Sequence, residues 1–492
     1  DFDGDAIPDI AVGAGFDDDG GNDHGAIWIL LLNEDGSVRS QHEINDVTGG
    51  FEGNLDEADV FGRSIASLGD LDGDGVTDLA VGSPQDDDGG NDRGAIWILF
   101  LHSDATVKSF QKISSTKGGF GKGLADGVWF GIAVTSLGDL DGDGITDIAS
   151  SALFDDGGAV WILFLNENGT VKGKTKIMGS SFGRTFFFGE AIANVGDVDG
   201  DGNVDLGVTD FGDNDGGDEK GALWLLFLTP AGTVSRSQKI SAKAGGFTGN
   251  LHRLDHLGSA VTSIGDLNGD GTPDIVVGAD LDDDGGTNRG ALWILFLRPD
   301  GTVLDHRRIS DSHGGFGGIL ADEDRFGRSV AAIGDLDGDL VTELAVGAIF
   351  EDAGGADRGA VWNLFLEGVP VTTTTLPHAC GNGVRESTEE CDDGGNAGDD
   401  GCSAACQCEP AARGDLAEGC DCFDVCGDPS VPLGTVTAVD AAFILRASVG
   451  SEQCSVCVCD LDASAAVTAA DALLAVRRST GLWTVLSCSP AQ

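Results

Sequence analysis

One nine-residue acidic segment recurs six times, and its spacing fixes the architecture before any single site is considered. It stands as DFDGDAIPD from Asp1, DLDGDGVTD from Asp70, DLDGDGITD from Asp139, DVDGDGNVD from Asp197, DLNGDGTPD from Asp266 and DLDGDLVTE from Asp335. The intervals are 69, 69, 58, 69 and 69 residues. A second marker, Gly-Ala, an apolar residue and Trp, keeps step at Trp28, Trp97, Trp161, Trp224, Trp293 and Trp362. A third, Phe-Gly, begins at Phe61, Phe130, Phe188 and Phe326, with Leu257-Gly258 in its place once. The short interval comes from the third unit, which loses five residues before Trp161 and six more before Phe188.

Each unit reads as four strands. Strand A follows Phe-Gly, as in Phe61 to Leu68, and the acidic loop comes next. Strand B is short and apolar, as in Asp78 to Val81, and leads into a loop such as DDDGGNDRG. Strand C is an apolar run without alternation, Ala95 to Leu101, so both its faces are expected to be buried. An Asp-Gly turn, as at Asp35 or Asp300, favours a hairpin into the alternating strand D, Val107 to Ile113. Four-stranded sheets buried on both faces and repeated six times predict a mainly β propeller over residues 1–368. A sandwich would need a polar outer face on these strands.

The acidic segments have the composition of hard-cation loops. Carboxylates recur at positions 1, 3, 5 and 9, and position 7 can offer its backbone carbonyl. The candidate ligands are Asp1, Asp3, Asp5, Ile7 and Asp9 in the first loop. Those of the second are Asp70, Asp72, Asp74, Val76 and Asp78. Asp139, Asp141, Asp143, Ile145 and Asp147 follow, then Asp197, Asp199, Asp201, Asn203 and Asp205. The fifth set is Asp266, Asn268, Asp270, Thr272 and Asp274; the sixth is Asp335, Asp337, Asp339, Val341 and Glu343. Oxygen-only donors in this number suit Ca2+. Glycine at position 6, such as Gly75, permits the sharp bend. The first and last loops carry Ala6 and Leu340 there, so they are expected to bind more weakly. The Asp-rich B–C loops point to the opposite end of each unit. They read as solvated turns or as a second cation set, with Arg93, Arg289 and Arg358 available to pair the acids.

Phe-Gly, the acidic loop, the Val81-Gly82-Ser83-Pro84 stretch and the Gly-Ala-x-Trp strand together resemble the FG-GAP repeat of integrin alpha-subunit propellers and their bacterial relatives. The resemblance covers residues 1 to about 370. It implies blades around an axis, calcium-stabilised loops between strands A and B, and an adhesion role. Family members carry seven blades, whereas six units are visible here. The first unit has no strand A, and Val369 to Thr375 could serve as strand D of the last. Either a piece of chain has been removed, or termini or linkers pair with a neighbouring copy into a filament by strand addition.

All 12 Cys fall between Cys380 and Cys488, which predicts a disulfide-rich tail made in an oxidising compartment. Residues 369–379 form a Thr-rich linker or edge strand. Residues 380–410 resemble a cysteine-rich repeat of secreted bacterial proteins. Residues 411–492 hold a duplication, VTAVDAAFILRASVG from Val436 and VTAADALLAVRRSTG from Val467, that resembles a partly α-helical dockerin module. Its second half retains Asp460, Asp462, Ser464 and Asp471 as candidate calcium ligands, and the resemblance implies a cohesin as a possible partner.

The formal net charge is −55, with −42 in residues 1–370, which argues against nucleic acid as a partner. No apolar run is long enough to span a membrane. The chain starts at Asp1 and its only Met is Met178, which fits a processed or truncated N-terminus. No nucleophile elbow or other catalytic motif stands out, Tyr is absent, and the His252–His256 pair lacks the Glu of a zinc protease. The sequence therefore points to a secreted, non-enzymatic, calcium-binding structural or adhesion protein, able to polymerise by strand exchange into an extracellular filament. A cohesin-docked component of an extracellular complex is the first alternative. A propeller-associated hydrolase or lyase is the second.

Overall fold

The computed structural model describes residues 1–183, 185, 187–352 and 355–367. The expectations for the linker, the cysteine-rich repeat, the dockerin-like module and Asp460, Asp462, Ser464 and Asp471 lie outside the described residues. Six antiparallel sheets follow one another along the chain. The first holds β1 (Ile10–Ala14), β2 (Ala26–Leu32) and β3 (Val38–Ile44). The second holds β4 (Ser64–Gly69), β5 (Asp78–Ser83), β6 (Ala95–Leu101) and β7 (Val107–Ile113). The third holds β8 (Phe130–Gly138), β9 (Asp147–Ala152), β10 (Ala159–Leu165) and β11 (Val171–Met178). The fourth holds β12 (Ile192–Gly196), β13 (Asp205–Asp210), β14 (Ala222–Leu228) and β15 (Val234–Ser241). The fifth holds β16 (Leu257–Gly265), β17 (Asp274–Ala279), β18 (Ala291–Leu297) and β19 (Val303–Ser310). The sixth holds β20 (Phe326–Gly334), β21 (Glu343–Ala348) and β22 (Ala360–Leu364). Each four-stranded sheet pairs its strands in chain order, as a propeller blade requires.

Packing between blades explains the sequence markers. Every residue of β5, β6, β9, β10, β17 and β18 is buried, because the flat apolar strands are covered by sheets on both sides. The glycine of Gly-Ala-x-Trp lies against the next blade. Gly94 forms a parallel bridge with Phe130 and adopts φ +80°; a Cβ there would sit 2.0 Å from the Phe130 carbonyl oxygen. Gly25–Phe61, Gly221–Leu257 and Gly290–Phe326 repeat the bridge. Beside it, a Phe from the preceding connection joins the Phe of Phe-Gly to the Trp of strand C. Phe51 is 5.1 Å from both Phe61 and Trp97, and Phe120 is 5.0 Å from Phe130 and 5.1 Å from Trp161. Such pairs add about 0.5–1.5 kcal/mol each beyond area burial.

The ring closes with six blades. Ile10 and Leu32 of the first sheet pack with Ile333, Leu336 and Ala345 of the sixth. Asn363 donates to the carbonyl of Gly36 across the same seam at 2.9 Å. The sixth sheet ends at β22 among the described residues, and none of these pairs with its outer edge. Val361 and Phe365 are 39% and 41% exposed, whereas their counterparts Ile96 and Phe100 under β7 are 0% and 5% exposed. No helix among the described residues is long and apolar enough to cross a membrane.

Candidate metal centres

The A–B loops share one hydrogen-bonding plan, with a different task for each carboxylate. Position 1 gathers the backbone. In the third loop, Asp139 Oδ1 accepts from the amides of Gly142 and Asp143 at 2.8 and 2.9 Å, and Oδ2 accepts from Gly144 at 2.8 Å. Position 5 accepts from the amide of position 7, as Asp143 does from Ile145 at 3.0 Å and Asp74 from Val76 at 2.9 Å. The same bond is made by Asp5 and Ile7, Asp201 and Asn203, Asp270 and Thr272, and Asp339 and Val341.

Position 9 is the buried floor, and it carries a structural role that the spacing did not reveal. Asp78 accepts from the amides of Leu71 at 3.0 Å and Leu101 at 3.1 Å, one on each oxygen. It thus clamps the loop to the end of strand C. Asp9, Asp147, Asp205 and Asp274 make the same pair of bonds. Burial is the main cause that pushes the Asp78 and Asp147 carboxyls up to about 6 and those of Asp205 and Asp274 up to about 7. The longer Glu343 of the sixth loop breaks the plan: Oε2 accepts from Leu336 at 2.6 Å, but Oε1 is buried without a partner.

Carboxylates of positions 1, 3 and 9 converge in three loops, as Asp70–Asp72–Asp78, Asp139–Asp141–Asp147 and Asp197–Asp199–Asp205, with donor oxygens within 4.8 Å of one another. In the first loop Asp1, Asp3 and Asp5 converge instead. The rim is met by bases from strand D. Lys108 lies 2.7 Å from Asp72 and 2.5 Å from Asp74, Lys172 pairs Asp141 and Asp143, Arg39 pairs Asp3 and Asp5, and Arg236 lies 3.1 Å from Asp199. The hydrogen bond from Lys108 holds Asp74 below the usual range. In the fifth loop Asn268 donates to Asp270 at 3.0 Å. Oxygen donors alone, a protonation-prone buried floor and an acidic rim fit a hard divalent cation, which would neutralise the floor without a proton.

The residues at position 6 keep one backbone conformation whatever their identity. Gly75, Gly144, Gly202 and Gly271 have φ between +87° and +91°, while Ala6 and Leu340 stand at +70° and +71°. Left-handed backbone costs an L-residue about 1–2 kcal/mol. Leu340→Gly is therefore expected to raise stability by about 1 kcal/mol, read as a higher denaturant midpoint at unchanged slope. An unchanged or lower midpoint would show that the last loop is not strained.

At the opposite end, the B–C loops are neutralised from within, and not by the arginines expected from the sequence. Strand D supplies the bases. Lys112 lies 2.5 Å from Asp86, Lys176 2.6 Å from Asp155, and Lys239 2.8 and 3.2 Å from Asp213 and Asp215; Arg308 pairs Asp282 and Asp284. Arg93 and Arg289 reach the next connection instead, at Asp126 and Asp322, with Asp311 also on Arg289. The first blade has Glu43 opposite Trp28 where its sisters have Lys or Arg. Burial and the neighbouring Asp17 and Asp19 push the Glu43 carboxyl up.

Parts of this chain are similar in sequence to known proteins. Residues 61–99 and 257–295 match the FG-GAP repeat, and residues 139–208 match the FG-GAP-like repeat. Integrin alpha-PS2 of Drosophila melanogaster is 33% identical over 223 residues, covering 42% of this chain and 14% of that protein. Integrin alpha-6 of Gallus gallus is 32% identical over 157 residues, covering 32% and 14%. Integrin alpha-2 of Mus musculus is 30% identical over 212 residues, covering 42% and 16%. The chain thus spans about a seventh of the length of these relatives. Its described part is a six-bladed, integrin-alpha-like propeller carrying FG-GAP repeats.

Proposed function

We propose that the chain is a non-enzymatic structural protein of adhesion type, acting outside the cell or on its surface, whose propeller is stabilised by Ca2+ in the A–B loops. The observation that carries this reading is the convergence of positions 1, 3 and 9 at one end of successive blades, on a fold whose relatives are integrin alpha chains. Asp70, Asp72 and Asp78 and their counterparts in the third and fourth loops would hold the ion, with Asp266, Asp270 and Asp274 as the fifth set. Bound calcium would supply positive charge and hold loop to floor. The first and last loops are the weaker sites, because Ala6 and Leu340 strain the bend and Glu343 has lost half of its clamp. Isothermal titration with calcium is expected to resolve a tighter class of sites and a weaker one. Six equal sites, or no heat at all, would contradict this.

The outer edge of β22, which pairs with no described residue, favours a second element, self-association by strand addition. Light scattering on the same calcium-loaded sample reads it. A monodisperse monomer at micromolar concentration removes the self-association and leaves the calcium reading untouched.

A further inference from the structure

The residue after Phe-Gly alternates in character around the ring: Arg63, Ile132, Glu190, Ser259, Arg328. It stands at the start of strand A, the inner edge of each blade, where β4, β8, β12, β16 and β20 pack on one another in turn. Blades two, four and six thus send Arg, Glu and Arg towards the axis. Arg63 Nη2 donates to Glu190 Oε1 at 3.1 Å, and Arg328 Nη2 donates to the same oxygen at 2.6 Å. Arg328 also donates to the Ser259 carbonyl at 3.1 Å and lies 3.9 Å from Asp280. Glu190 is buried, yet the two guanidiniums outweigh that burial and hold its carboxyl below the usual range.

The seams between blades are unequal. Among the described residues, five of them carry apolar clusters of 11 to 18 buried residues, while the sixth–first seam has five. We infer that the Arg63–Glu190–Arg328 triad is an axial clamp that holds the weak seam shut by tying the sixth blade to the second and fourth. The tie bypasses the seam. Its three members come from alternate blades, so each reaches the axis without crowding its neighbours. A buried ion triad adds little stability over apolar packing, but losing one member leaves charges uncompensated, so the clamp makes an opened ring costly.

Hydrogen exchange on the Glu190→Gln variant tests this. Amides of β1, β2, β21 and β22 are expected to exchange roughly tenfold faster, with β10 and β14 unchanged. Equal acceleration in all six sheets, or none at the seam, would overturn the clamp. If Glu190→Gln does not fold, Arg63→Lys keeps the charge and loses the fork. It is expected to accelerate the same four strands by a smaller factor. A uniform or absent response in that variant would likewise overturn it.

Discussion

Asp78→Ala is expected to lower the unfolding free energy by about 2–4 kcal/mol in chelator. The change strips two buried amides, those of Leu71 and Leu101, of the carboxylate oxygens that accept from them. An orphaned buried donor costs about 1–3 kcal/mol, and relief of the buried carboxyl gives part of this back. Asp78→Asn should rank between the variant and the parent, since one oxygen remains. Its amide NH2 group must then face a backbone donor. Denaturant unfolding in chelator reads both. The chelator matters, because it separates the clamp from ion binding. Should Asp78→Ala cost less than about 0.5 kcal/mol there, position 9 is a ligand and nothing more. Calcium titration of the same variants should show one site lost.

The second large effect is a pH dependence that calcium cancels in part. Burial raises the carboxyls of Asp78, Asp147 and Asp255 to about 6 and those of Asp59, Asp205 and Asp274 to about 7. Unfolded, these groups titrate near 3.9. Between those values the folded chain holds more protons than the unfolded one, so stability falls as pH rises through the window. In chelator, the melting temperature is thus expected to climb by several degrees from pH 8 to pH 5. Calcium requires ionised ligands and stabilises by mass action, so its contribution is largest at pH 8. With millimolar calcium the climb should shrink, without vanishing, because Asp59 and Asp255 lie outside the A–B loops. A melting temperature that drops on acidification in chelator would contradict the assignment.

Much of this was legible in the sequence, for identifiable reasons. The expected strands Ala95 to Leu101 and Val107 to Ile113 coincide with β6 and β7, because an apolar run and a hairpin turn are local signals. In the second blade strand A starts three residues later than expected, at Ser64, whereas β8, β16 and β20 start at Phe130, Leu257 and Phe326 themselves. The spacing of the carboxylates located the acidic loops but hid the hydrogen-bonding task of position 9, since the partner amide lies 23 residues away in strand C. The bases that neutralise the B–C loops were missed for a similar reason. Arg93 is near in sequence, whereas Lys112 reaches Asp86 only once β6 and β7 have paired. The axial triad needed the units aligned and its residues compared as a column, and the Gly-Gly-Phe that recurs from Gly49, Gly118, Gly245 and Gly314 would have disclosed the aromatic linkers in the same way.

The bridge from glycine to the following phenylalanine bears on how such a ring can change size. Gly94 and Phe130 are 36 residues apart, well inside one 69-residue period. A duplicated period therefore arrives with both halves of its own joint, and the third unit has shed eleven residues while still placing Gly158 against Phe188. Growth by whole cassettes is mechanically easy at every joint of this kind. The axis imposes parity: a seventh cassette would put an odd blade between Arg63 and Arg328 and break their alternation around Glu190. Drift in blade number is thus resisted at the centre and permitted at the circumference.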